Sequence, residues 1–188
     1  MRKKSHWRLA DYLIRDNERP VIAFMFKVGS VAPDFMLRSM VKGHTYDATS
    51  HRVEQRLEKL EECGRWNMLS AYRMGYVTHY LADYFTAPHN KVWQYNLKEH
   101  CVFEKKQQDE LRGYLESLWE NPKQYYEMTD AMEYLRVQHE RYEQKKPDVE
   151  NDCAYIVNIT EQLTYPMFAL FNERQNVRYR LLRRRATM

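Results

Sequence analysis

Glycine, proline and cysteine are scarce in this chain, with 5, 6 and 3 copies among 188 residues. Leu, Glu, Lys, Arg and Met are abundant instead, and this balance favours helix over sheet. The cysteines Cys63, Cys101 and Cys153 form no CxxC pair, so neither a disulfide framework nor a thiolate zinc site is expected. A metal site in this chain would have to be built from histidine and carboxylate side chains.

Long apolar runs are also missing, and none approaches the length of a membrane-spanning helix. The N-terminal stretch begins with basic residues, but charged side chains between Asp11 and Glu18 interrupt any signal-peptide core. We therefore expect a cytoplasmic protein. With 44% apolar and 30% charged residues, the chain has the composition of a soluble globular protein long enough to bury a core.

Positive charge is concentrated at the C-terminus. The tail NVRYRLLRRRATM contains no acidic residue and five arginines, at positions 178, 180, 183, 184 and 185. Subtracting these five from the formal charge of +4 leaves −1 for the rest of the chain. This basic tail, from about residue 178, predicts weak contact with an anionic membrane. The sequence points to no protein partner.

The apolar pattern predicts helices throughout and shows no clean strand alternation. The predicted helices cover residues 6–15, 20–29, 52–63, 67–86, 98–119, 122–144 and 149–171. We expect Thr49 or Ser50 to cap the third helix, Gly64 to end it, and Pro166 to interrupt the last one. The prediction is an all-α, single-domain helical bundle over residues 1–188.

The helix at 67–86 has apolar residues over much of its surface, which indicates a position near the centre of the bundle. It carries His79 and Asp83, one turn apart and therefore on one face. His100 and Glu104 repeat this spacing on the next long helix, and His89 lies in the connection. Together these side chains would converge on one pocket between central helices, with ligands that suit zinc and similar divalent ions.

This order and spacing resemble the zinc-dependent phospholipase C family, which shares its all-helical fold with zinc-dependent single-strand nucleases. In that family the central helix carries His-xxx-Asp, a His follows six residues later, and His-xxx-Glu lies on the next helix. Upstream, the stretches HWRLADYL, APDF and GHTYDAT supply matching residues in His6, Asp34 and His44. The resemblance covers roughly the first 105 residues.

The resemblance implies a trinuclear metal site. Its positions would be held by Asp34, His44, His79 and Asp83; by His89, His100 and Glu104; and by His6 with Asp83 as a bridge. Family members complete the third position with the amine and carbonyl of an N-terminal Trp, and here only the amine of Met1 can stand in. His51 is an alternative to His44, and His139 is predicted to be a surface residue.

The function implied by the resemblance is hydrolysis of a phosphodiester with two or three Zn²⁺ ions or other divalent metals. The substrate would be a phospholipid, cleaved to diacylglycerol and a phosphorylated head group, with Asp34 acting as both metal ligand and base toward a water. Two alternatives remain open: a nuclease or other phosphoesterase on the same fold, and a catalytically inactive metal-binding module. An open coordination position would distinguish a catalytic metal from a structural one.

Overall fold

The computed structural model of the chain describes residues 1–36, 44–122 and 130–186, with side chains through residue 176. Within these ranges the chain forms seven α-helices and no strand, which confirms the all-α prediction. The helices are α1 (Lys3–Ile14), α2 (Pro20–Val31), α3 (Tyr46–Cys63), α4 (Met68–Asp83), α5 (Leu97–Ser117), α6 (Ala131–Glu143) and α7 (Val149–Ala186). Short 3₁₀ turns at Ala32–Phe35 and Ala87–His89 follow α2 and α4.

Helix α4 lies at the centre of the bundle and packs against α2, α3 and α7. Every residue from 77 to 87 is buried. The helix starts with a reciprocal cap, in which Asn67 Oδ1 accepts from the Ser70 N–H and Ser70 Oγ accepts from the Asn67 N–H, each at 2.9 Å. This cap fixes where the helix begins and therefore which way its last turn, with His79 and Asp83, faces.

Two glycines let α2 and α4 approach at backbone distance. A Cβ atom on Gly75 would overlap the carbonyl group of Phe26, and one on Gly29 would overlap the carbonyl group of Tyr72. Both obstacles are backbone atoms, which cannot move aside as a flexible side chain can. The close approach also brings the backbone of Ser30, next to Gly29, against the last turns of α4.

We expect Gly75→Ala to destabilise the protein by roughly 3 kcal/mol, the upper end of overpacking costs. Gly113→Ala is the matched control, because nothing lies within 4 Å of a Cβ at that position in α5. The control should gain about 0.5–1 kcal/mol, since alanine is the better helix former. Thermal unfolding followed by circular dichroism measures both. Equal midpoints for the two variants would contradict the close helix contact.

Helix α3 begins earlier than predicted, at Tyr46, and Thr45 occupies the N-cap position. Thr49 therefore lies inside the helix, where its hydroxyl donates to the Thr45 carbonyl at 2.8 Å and pairs with the Tyr84 hydroxyl at 2.9 Å. A threonine that hydrogen-bonds four residues back is satisfied within a helix, so its cap-forming tendency did not mark the boundary. Gly64 ends the helix with a φ of 52°, as predicted.

The predicted break at Pro166 is wrong, because α7 continues through it. Proline removes one backbone hydrogen bond, but Tyr165, Met167 and Phe168 beside it are buried in the core, and this packing holds the helix together.

Helix α6 begins at Ala131, behind an Asp130 cap; the predicted start at 122 leads into residues 123–129, which lie outside the described ranges. The side chains of the arginine tail also lie outside them. No described helix is long and apolar enough to cross a membrane.

Candidate metal centre

The eight residues predicted as ligands all meet at one end of α4. His79 and Asp83 lie in its last turns, His6 lies on α1, Asp34 and His89 lie in the two 3₁₀ turns, and α5 contributes two more. They form four overlapping triads whose ligand atoms lie within 4.8 Å of one another: His6, His79 and Asp83; Asp34, His44 and His79; His44, Asp83 and His89; His89, His100 and Glu104. His51 lies apart from them on α3, with its side chain 78% exposed.

Asp83 is fully buried at the middle of the cluster. Its two oxygens face different neighbours. The distances are 2.9 Å from Oδ1 to the Met1 amine, 3.2 Å from Oδ1 to His6 Nε2, 2.6 Å from Oδ2 to His44 Nδ1, 3.1 Å from Oδ2 to His79 Nε2 and 3.5 Å from Oδ2 to His89 Nδ1. The two oxygens of this carboxylate therefore contact different sets of nitrogen atoms, which is the arrangement that a bridging ligand requires.

The charge on these carboxylates is balanced by nearby cations. Burial alone would raise the pKa of Asp83, but the Met1 ammonium and the nearby His89, whose own pKa is raised, outweigh it and hold the pKa of Asp83 well below its usual range. Burial is likewise outweighed at Glu104, whose pKa is lowered by its hydrogen bond with His89 and by the same ammonium, 3.0 Å away. Both groups are therefore ionised, and buried carboxylates of this kind need positive partners.

His79 is oriented by a backbone contact. Its Nδ1 lies 2.9 Å from the Ser30 carbonyl oxygen, and because a carbonyl only accepts, Nδ1 carries the proton. Nε2 then presents a lone pair toward the cluster, as a metal-ligating histidine does when a second group fixes its tautomer. The His6 ring stacks on it at 3.8 Å, and burial, with His79 next to it, lowers the pKa of His6 to about 3. His6 is therefore neutral and able to act as a ligand.

Asp34 lies where the cluster opens to solvent. Its Oδ1 is 3.9 Å from His79 Nε2, while Oδ2 is buried without a hydrogen-bond partner among the described residues. Burial raises the pKa of Asp34, which makes this carboxylate a better proton acceptor than an exposed aspartate. It lines a cleft of about 1020 Å³, together with His44, His89 and Glu104.

His100 and Glu104 reach the cluster from the first two turns of α5. Glu104 Oε1 lies 3.3 Å from His100 Nε2 and 3.4 Å from His89 Nε2. The start of α5 is fixed by a reciprocal cap between Asn96 and Glu99, so the HxxxE pair is held at a set position relative to the turn that carries His89. A second group of ligand-type atoms therefore adjoins the one around Asp83.

The chain as a whole matches a known family. The profile of the zinc dependent phospholipase C family aligns with residues 6–158. The chain belongs to this family. Zinc dependence and a phospholipid substrate are properties at the family level, and no curated protein and no solved structure matches the chain. The match extends well beyond the first 105 or so residues that carried the resemblance in the sequence.

His139 is not the surface residue that the sequence suggested. It is 4% exposed, and its Nε2 donates to Asn90 Oδ1 at 2.8 Å. The Asn90 amide in turn donates to the carbonyls of Tyr84 and Thr86, each at 2.9 Å. His139 therefore supports the turn that carries His89. The spacing of His139 from two other buried residues of α6, Leu135 and Tyr142, is the signal that would have revealed it.

Asp152 is a second buried residue that the sequence reasoning missed. It accepts hydrogen bonds from the Ala87 N–H at 2.9 Å, from Gln107 Nε2 at 2.9 Å and from the Tyr142 hydroxyl at 2.6 Å. Burial raises its pKa to about 7. The contacts join α7, α5 and α6 to the 3₁₀ turn before His89. Its position four residues before the buried Ile156 of α7 was the available signal.

We expect the protein to lose stability in mild acid through His139. Burial lowers the pKa of His139 from 6.5 to about 4, so between these values the unfolded chain binds a proton that the folded chain does not. Stability then falls as pH drops through this window, by up to roughly 3 kcal/mol. Urea unfolding between pH 7 and pH 4 measures it.

Two glutamine variants test the source of this pH dependence. His139→Gln keeps a donor for Asn90 but cannot titrate, so its stability should fall less steeply between pH 6.5 and pH 4. His51→Gln changes an exposed histidine and should leave the wild-type pH profile intact. If the two variants gave the same profile, His139 would not be the group responsible.

Proposed function

We propose that the chain is a metal-dependent phosphodiesterase that cleaves phospholipids by attack of water on phosphorus. The bond between phosphorus and the glycerol oxygen breaks, which releases diacylglycerol and a phosphorylated head group. The observation that supports this proposal is the convergence of eight ligand-type side chains around the buried Asp83, at the edge of an open cleft. An open cleft beside the ligands is what a catalytic rather than a structural metal requires.

The donor set fits divalent metal ions of the zinc type. Every proposed ligand is an imidazole or a carboxylate, which are the groups that zinc prefers in the absence of thiolates. One buried atom of the proposed ligands, Asp34 Oδ2, has no hydrogen-bond partner among the described residues. Buried polar atoms are rarely left unsatisfied, and a metal ion would supply this atom with a partner.

We assign the ligands to three positions. The first would be held by Asp34, His44, His79 and Asp83, the second by His89, His100 and Glu104, and the third by His6 with Asp83 as the bridge. The Met1 amine lies 2.9 Å from Asp83 Oδ1 and 3.1 Å from His89 Nε2, within reach of the second and third positions. Two to three ions per chain follow from this assignment.

When bound, the metal ions would supply positive charge to the phosphoryl oxygens and lower the pKa of a water. Asp34 is the group proposed to take a proton from the attacking water, because it borders the cleft and its pKa is raised. That proton then passes to the departing glycerol oxygen, so protons balance over the cycle. His79, held by the Ser30 carbonyl, keeps its Nε2 lone pair toward the cluster throughout.

The test combines metal content with turnover. Protein purified without chelator should contain two to three zinc equivalents by mass spectrometry and should release diacylglycerol from phospholipid. Zinc content near zero that added zinc does not restore would contradict the proposal. Cleavage of single-stranded oligonucleotides without cleavage of phospholipids would assign the nuclease alternative, and full zinc occupancy without any hydrolysis would assign an inactive module.

A further inference from the structure

Three consecutive cations line one side of the cleft. Arg2, Lys3 and Lys4 are exposed and border the same space as Asp34 and Glu104. None of the three forms an ion pair with a carboxylate in the part of the chain that the structure describes. They lie at the N-terminus of α1, whose first turn contains no acidic residue. Because a helix N-terminus is itself the positive end of the helix dipole, this placement is unfavourable for folding and concentrates positive potential at the cleft.

The cleft offers little to a cationic head group. Among the described residues that line it, the carboxylates are Asp34 and Glu104, both of which belong to the proposed metal ligands. No Phe, Tyr or Trp is among these lining residues, so the aromatic faces that bind quaternary ammonium groups are missing there. Phe35 lies nearby and is 69% exposed, but the Lys3 ammonium already covers its ring at 3.8 Å.

We propose that this cleft selects phospholipids whose head group carries negative charge of its own, beyond the phosphodiester, with Lys3 and Lys4 as the residues that determine this specificity. The inference rests on the phosphodiesterase function proposed above. A phosphate on the head group would accept charge-assisted hydrogen bonds from the lysine ammonium groups. The scissile phosphodiester would be left for the proposed metal positions, whose ligands Asp34, His89 and Glu104 line the same cleft.

The test uses short-chain lipids as monomers, so that recognition of the head group is separated from attraction to a membrane surface. Dihexanoyl phosphatidylinositol 4-phosphate carries the extra phosphate, and dihexanoyl phosphatidylcholine carries a quaternary ammonium. We expect the zinc-loaded protein to prefer the first in kcat/KM by about a hundredfold, on the basis of about tenfold for each charged hydrogen bond. The double variant Lys3→Glu/Lys4→Glu should bring the ratio near one.

The matched control carries the same change in net charge away from the cleft. Lys59 and Lys146 are exposed and do not line it, so Lys59→Glu/Lys146→Glu should keep the wild-type preference. Glutamate in the first turn of α1 suits the helix dipole, so we expect Lys3→Glu/Lys4→Glu to fold. Its zinc content and thermal midpoint are measured alongside. Equal kcat/KM for the two lipids in the wild type, or a preference that survives the double variant, would overturn the proposal.

A binding measurement keeps the inference separate from the proposed hydrolysis. If zinc-loaded wild type cleaved neither lipid, the proposed function would fail, and the head-group preference would still be decided by calorimetry. Inositol 1,4-bisphosphate should bind to the wild type more tightly than phosphocholine does. Its affinity for Lys3→Glu/Lys4→Glu should be about a hundredfold lower than its affinity for the wild type. Equal affinity of wild type and double variant for inositol 1,4-bisphosphate would overturn the role of the two lysines.

Discussion

Asp83→Asn should lower kcat/KM for phospholipid hydrolysis by on the order of a thousandfold or more. The change removes the negative charge at the centre of the cluster, where Oδ1 faces the Met1 amine and His6 and Oδ2 faces His44. As the proposed bridging ligand, Asp83 would serve more than one metal position, so zinc content should fall by more than one equivalent per chain. Steady-state kinetics and mass spectrometry of the same preparation measure both.

The control for this substitution is Asp109→Asn, an identical change at an exposed position of α5. It should leave kcat/KM and zinc content unchanged. His79→Ala removes one ligand from the same cluster and should also abolish hydrolysis. Full zinc occupancy in Asp83→Asn, or an Asp109→Asn variant as inactive as Asp83→Asn, would show that the centre of the site has been assigned to the wrong residue.

Removing metal should lower the thermal midpoint by about 10–20 °C. An ion present at a hundred times its dissociation constant stabilises the folded state by about 2.7 kcal/mol, and each kcal/mol shifts the midpoint of a chain of this size by about 2–4 °C. The loss of two such ions together gives the expected decrease of about 10–20 °C in the thermal midpoint. Without them, the clustered carboxylates Asp34, Asp83 and Glu104 would repel one another with less positive charge between them.

Differential scanning calorimetry with and without a zinc chelator measures the shift, and added zinc should restore the original midpoint. Asp83→Asn serves as the comparison, because a cluster that no longer holds its metals should respond little to the chelator. An unchanged wild-type midpoint after demonstrated loss of zinc would mean that the ions do not stabilise the fold.

The clustering of the proposed ligands was predictable from the sequence in part, because two of the pairs rest on local geometry. His79 with Asp83 and His100 with Glu104 are each spaced by four residues, which places both members on one face of any α-helix. The tertiary structure adds contacts to these two pairs but does not change the fact that the members of each pair share one helix face. The single-domain organisation, the cytoplasmic location and the membrane contact of the arginine tail remain predictions.

Other features depended on partners far away in the chain. His139 is surrounded by charged residues in the sequence. Its burial follows from the packing of α6 against Asn90 and Tyr46, and the Tyr46 ring stacks on the His139 ring at 4.2 Å. Pro166 carries a local helix-breaking signal that the buried side chains around it override. In both cases the deciding free energy comes from long-range contacts.

By itself, the sequence determined that this chain is helical. It also predicted which histidines and carboxylates would gather into one cluster, and the structure brings those side chains together. Periodicity and residue chemistry are local properties, so they can be read without coordinates. Only the tertiary structure decided that Asp83 divides its two oxygens between separate neighbours and that Ser30 fixes the tautomer of His79. It also decided that Lys3 and Lys4 border the cleft. These arrangements depend on how α1, α2 and α4 pack together, and the glycines at 29 and 75 allow the close backbone contact between α2 and α4.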